Sequence, residues 1–204
     1  KQFAFVMVSY TDDPSICFIG TNQEKGGFIA TEHLIKTGYR DIGYVNGEEG
    51  NLIGEARKRG YIKALTEHNL PVNENYLYRI KVKGKRGDYM SGYDVGMEFS
   101  KRSDRPRAMF IYNDLSALGF IDALDNFGLK VPEDVAIIGF DDIASEITLK
   151  NHLSSVHQPT DKIGKLAVKN LLKMINGESV DPTNKRILKP KLVVRESCGA
   201  KKNS

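Results

Sequence analysis

The sequence predicts an α/β protein built on a doubly wound parallel sheet. Three apolar runs carry that expectation: Ile42–Val45, Ala108–Tyr112 and Val135–Phe140. They are rich in β-branched and aromatic residues and too short for helices, so they read as buried strands. Helical patterns separate them, which makes the strands parallel and points their carboxyl ends the same way. Each run ends in amides or carboxylates: Asn46, Asn113-Asp114 and Asp141-Asp142. Open parallel sheets bind ligands in the crevice at those ends.

The remaining elements follow in order. Phe3–Ser9 reads as a strand, with a short one at Ile16–Gly20. Glu24 to Lys36 reads as a helix with Phe28, Ile29, Leu34 and Ile35 apolar and Gly38 as its stop. Glu55 to His68 is a second helix, with Ala56, Tyr61, Ile62 and Leu65 on its inner side. Tyr76–Val82 mixes apolar and polar residues, which places it near a sheet edge. Ser91 to Lys101 is a third helix. A fourth opens at Asp114 and stops near Gly128. After Phe140 the rhythm changes, and a polar stretch, Asn151–Pro159, leads to a helix from Thr160 to about Asn176. Its apolar stripe is Ile163, Leu166, Ala167, Leu171 and Ile175. Arg186–Val194 closes the chain as a β pattern. The expected division is one lobe over 39–159, with 1–38 and 160–204 pairing as part of a second.

The chain has 204 residues, 40% apolar and 27% charged, ordinary values for a globular protein. No apolar stretch reaches the roughly 18 residues of a membrane span. The net charge of +4 is uneven, because seven of the last twenty residues are basic and only Glu196 is acidic. The body is therefore slightly acidic and has no electrostatic footprint for nucleic acid. Cys17 and Cys198 are too few for a disulfide framework or a metal site and read as reduced thiols of a cytoplasmic protein.

A carboxylate beside an amide suits polyol recognition, because Asp accepts hydroxyl hydrogens while Asn both donates and accepts. Arg57 lies early in the helix after Asn46 and adds a planar fork of donors. Each residue alone has a plain structural role open to it. Asn113 or Asp114 serves equally as a helix cap, Asp142 as a loop residue and Arg57 as a surface charge. Their joint occurrence at neighbouring strand ends favours a site. The four histidines have no metal-ligand spacing, and no Gly-x-Ser-x-Gly elbow or phosphate loop occurs. Asp141-Asp142 leaves one enzyme reading, a Mg²⁺-dependent phosphotransfer site.

Several segments resemble the LacI/GalR transcriptional regulators. They are Arg105–Gly119, Val131–Asp142, Val156-His157-Gln158-Pro159 and Leu192–Cys198, with Ala30–Leu34, Gly38-Tyr39-Arg40 and Arg57–Tyr61 in support. The resemblance runs nearly end to end. It implies a type I periplasmic-binding-protein-like effector domain with a complete C-terminal lobe and a partial N-terminal one. It implies effector contacts at Arg57, Asn113, Asp141 and Gln158, and a homodimer interface including Leu118 and Leu149. It further implies that ligand closure of two lobes modulates operator binding through a helix-turn-helix domain that these residues do not include. No cofactor is implied. The expected effector is a sugar or sugar derivative. Two departures stand out: Asn22-Gln23 replaces the family's Asp-Asn, and Gly87 stands where sugar binders carry a stacking aromatic. Lys83, Lys85 or Arg86 could instead meet a phosphate or carboxylate. Replacing Arg57 or Asp141 by Ala is expected to abolish binding with little loss of stability. A periplasmic sugar-binding protein of a transport system is the alternative function.

Overall fold

The computed structural model describes residues 4–11, 13, 16, 18–81, 87–143, 153–178 and 186–200. Nine strands and five helices are described there: β1 Met7–Val8, β2 Phe18–Thr21, α1 Gln23–Thr37, β3 Ile42–Asn46, α2 Leu52–Glu67, β4 Leu77–Arg79 and α3 Asp88–Ser100. They continue with β5 Ala108–Ile111, α4 Asp114–Asp125, β6 Ala136–Asp141, β7 Ser154–His157, α5 Thr160–Ile175, β8 Arg186–Leu188 and β9 Lys191–Val193.

The strands form two sheets. One has the order β4-β3-β5-β6-β7-β9, parallel except for β9, which runs antiparallel to β7. The other is β1-β2-β8, all parallel. The larger sheet is covered on both faces, and its strands alternate between two cores. Tyr44, Phe110, Ile138 and Phe140 pack with Phe28, Leu34 and Tyr61 of α1 and α2. Val45, Met109, Ile111 and Ile137 pack with Val95, Phe99, Phe120 and Leu124 of α3 and α4. Burial on both faces is why these strands read as continuous apolar runs. Each such side chain stabilises the fold by roughly 1.5–3 kcal/mol relative to exposure.

The doubly wound class is as expected, and β4 does lie at a sheet edge. Two elements pack differently from the expectation. Helix α1, grouped by sequence with the flanking pieces, packs on the six-stranded sheet through Phe28, Ala30, Leu34 and Ile35. The closing β pattern is not one strand. It breaks at Pro190, leaving β8 in the small sheet and β9 in the large one. Proline offers no N–H to continue a ladder, so the chain changes sheets there.

Backbone contact sets the spacing of α1 and α2. A Cβ on Gly60 would lie 2.0 Å from the Glu24 carbonyl oxygen, and one on Gly27 2.1 Å from that of Arg57. No other residue permits that approach. It brings the first turn of α1 against the segment of α2 that carries Arg57.

Candidate functional site

The carboxyl ends of β3, β5, β6 and β7 converge with the first turns of α1, α2, α3 and α5. Arg57 is at the centre. It is only 3% exposed, although it lies in a stretch, Arg57-Lys58-Arg59, that reads as solvated. Its guanidinium lies 3.4 Å from the Phe140 ring centroid and 5.1 Å from that of Tyr112. Cation–π contact offsets part of the cost of burying it. Its Nε donates to Gln23 Oε1 at 2.9 Å, its Nη1 donates to the Tyr112 carbonyl, and its Nη2 lies 3.5 Å from Asp141 Oδ1. Burial pushes the guanidinium pKa down, and the charge of Asp141 opposes that.

Asp141 ends β6 at φ 111° and is followed by Asp142 at φ 62°. Left-handed backbone at two successive non-glycine residues is strained and is characteristic of functional sites. The turn aims the two carboxylates at different partners. Asp141 accepts from Gln158 Nε2 at 2.8 Å, faces Arg57 and keeps 29% of its side chain exposed. Burial raises its pKa, with Arg57 and Gln158 lowering it and Asp88 raising it. Asp142 accepts from Arg195 Nη2 at 2.7 Å and lies 3.1 Å from His157 Nδ1. Asp141 and Asp142 are thus each ion-paired with an arginine. Among the described residues no group of three His, Cys, Asp or Glu is arranged to hold a metal.

Asn113 caps α4, its Oδ1 accepting from the Ser116 N–H at 2.8 Å, while its Nδ2 donates to Asp88 Oδ2 at 2.7 Å. It is buried, and the carboxylate it holds is the more exposed group. Asp88 was missed by sequence reasoning because it follows a glycine-rich, basic stretch far from any strand end. Asp114 is fully buried, accepting from Ser155 Oγ at 2.6 Å and from the Ile143 N–H at 2.9 Å. Burial raises its pKa to about 7. It braces the chain after β6 as well as opening a helix. Asn46 is turned into the end of its own strand, where it bonds the Gly47 N–H and Glu55.

Gln158 joins the cluster from the segment between β7 and α5. A cavity of about 300 Å³ lies beside it, lined by Thr21, Gln23, Ile53, Arg57, Thr160 and Ile163 among others. Within it the Thr21 hydroxyl is buried without a hydrogen-bond partner among the described residues, and a buried polar group of that kind ordinarily has one. On its other side a second cavity, about 660 Å³, is bordered by Asp141, Asp142 and His157. The structure thus brings Arg57, Asp141 and Gln158 into direct contact and sets Asn113 one residue behind, under Asp88. Leu118 is 8% exposed and packs into the core shared by α3 and α4. Leu149, Lys83, Lys85 and Arg86 lie outside the described residues.

The profile of the periplasmic binding protein-like domain family matches residues 31–198. The HTH-type transcriptional repressor PurR of Yersinia pestis (strain Pestoides F) is 35% identical over 178 residues, covering 86% of this chain and 50% of the relative. A regulatory protein of the LacI family from Chloroflexus aggregans superposes with a TM-score of 0.83 at 29% identity, over 96% of this chain and 68% of that one. The transcriptional regulator CelR in complex with cellobiose gives 0.83 at 29% identity, over 94% and 58%. These relatives are regulators rather than enzymes. The chain spans about half the length of the curated relatives it matches. Matching in profile, sequence and fold along nearly its whole length, this chain belongs to the LacI/GalR regulator family as a periplasmic-binding-protein-like domain.

Proposed function

We propose that this chain is the effector-sensing part of a DNA-binding transcriptional regulator, and that its ligand is a small hydroxyl-rich molecule of the sugar class. One observation carries this reading. A strained carboxylate, Asp141, is presented at a parallel strand end beside a fully buried arginine. Arg57 is committed to Gln23, Tyr112 and Asp141, so it orients acceptors more than it captures anions. Asp88 and Asp141 offer carboxylate oxygens to hydroxyl donors, and the regulator structure holding cellobiose supports the same class. The protein acts by population shift, without a catalytic step: ligand held between the sheets favours one arrangement and changes the affinity of attached DNA-binding heads for operator. It works in the cytoplasm as a homodimer. Tyr89, Met90 and Leu115 are exposed at the first turns of α3 and α4 and offer apolar surface for that contact.

The test is a thermal-shift screen of neutral sugars, sugar phosphates and nucleobases on the intact protein. A ligand at one hundred times its Kd stabilises by about 2.7 kcal/mol, a rise of roughly 5–10 °C for a domain of this size. Asp141→Asn should lose that rise. A response limited to sugar phosphates, or one unchanged in Asp141→Asn, overturns the reading.

A further inference from the structure

The chain passes between the two sheets at three described places: Thr21 to Gln23, His157 to Thr160, and Leu188 to Lys191. Backbone fastens the third to each of the others: the Asn22 N–H donates to the Leu188 carbonyl at 2.9 Å, and His157 pairs with Lys191 in the β7–β9 ladder. Among the described residues, the direct link from the first to the second is made by side chains. Gln23 Nε2 donates to Gln158 Oε1 at 3.3 Å.

That contact closes a ring. Arg57 Nε donates to Gln23 Oε1 at 2.9 Å, Gln158 Nε2 donates to Asp141 Oδ1 at 2.8 Å, and the Asp141 oxygen lies 3.5 Å from Arg57 Nη2. The polarity is forced. A guanidinium can only donate and a carboxylate only accept, so each glutamine amide has one orientation that satisfies both neighbours. Two amides then relay from cation to anion, each polarising the next. Gln23 is 4% exposed and has little room to reorient. Its place in the chain explains its reach. It opens α1 one turn before Gly27, whose missing side chain lets α1 touch the Arg57 backbone.

From this ring we infer that Gln23 is a positioning residue: it sets the Arg57 guanidinium and fastens the two crossings to Asp141, so that the charged pair and the crossings move together. A ligand that displaces Asp141 therefore displaces both crossings; this clause rests on the effector reading, while the ring itself does not.

The experiment uses no ligand, so its outcome is independent of whether an effector is found. Hydrogen–deuterium exchange is followed in the intact protein over residues 19–26 and 156–163, together with the Arg57 Nε–H signal by NMR. Gln23→Met keeps the length and removes the amide. It should speed exchange over 156–163 about tenfold, the effect of losing roughly one hydrogen bond, and should expose the Arg57 Nε–H. Gln23→Glu keeps the acceptor for Arg57 and removes the donor to Gln158. It should leave the Arg57 signal protected while exchange over 156–163 still rises. Asp141→Gly, tolerated at a positive φ, should speed both segments. If Gln23→Met does not fold, Gln158→Met tests the same contact from the other crossing and should speed exchange over 19–26. Acceleration confined to the segment that carries each substitution overturns the inference.

Discussion

Replacing Arg57 should cost stability as well as ligand response, against the expectation from sequence that the change leaves stability nearly intact. Arg57→Met fills most of the stem's volume and deletes the guanidinium. Gln23 Oε1 and the Tyr112 carbonyl lose their donor, each worth about 1–1.5 kcal/mol when left buried. Asp141 loses its cation, but its 29% exposure lets water replace part of that interaction. Against these losses stands the recovered cost of burying a charge, the same burial that lowers the arginine's pKa. The balance is a loss of about 2–3 kcal/mol, or roughly 5–10 °C in Tm for a domain of this size. Arg57→Ala adds a cavity and should cost about 1–2 kcal/mol more. Urea unfolding with a constant slope would measure both. A double cycle with Asp141→Asn should return a coupling of about 1 kcal/mol. If Arg57→Met is as stable as the wild type within about 0.5 kcal/mol, desolvation has cancelled the network, and the account of Arg57 as a structural centre of the site is wrong.

Burial raises the Asp114 pKa to about 7 from a usual 3.8. Its stabilising contribution is therefore complete below pH 4 and lost as pH rises toward 7. By linkage the wild type should lose about 3–5 kcal/mol over that window relative to Asp114→Asn; parallel stability–pH curves for the two proteins would contradict this. Gly60→Ala puts a methyl 2.0 Å from the Glu24 carbonyl oxygen. It should force α1 and α2 apart at a cost of about 2 kcal/mol or more, read from the urea midpoint. Asn113→Ala removes the α4 cap, costing about 1 kcal/mol, and also frees Asp88. Ligand response should weaken beyond what the stability loss explains; an unchanged titration would separate Asp88 from the site.

The elements were legible because each has a local cause. Ala108–Ile111 is apolar on both faces because helices cover both, and Asn113 caps the next helix, so strand, turn and helix start were written together. Gly38 stops α1 at φ 112°, the left-handed end its sequence position suggested. The strand-end rule also located Asp141. It did not reveal that Asn113 would face inward to hold Asp88, since that depends on where α3 begins relative to α4. Nor did periodicity show that Arg57 is buried, because Arg57-Lys58-Arg59 is uniformly basic and does not mark which residue faces Phe140.

By itself, then, the sequence determined the α/β class, the parallel order of the buried strands and the polar groups at their carboxyl ends. Those properties follow from hydrophobic period and turn chemistry, which act within a few residues. The tertiary structure alone decided which groups pair. The Gly27–Gly60 contact places Gln23 against Arg57, the left-handed turn at Asp141 splits two adjacent carboxylates between two arginines, and the crossing at Pro190 sends β8 and β9 to different sheets. Each joins residues far apart in the chain, and such partners are chosen by packing, which no local pattern encodes.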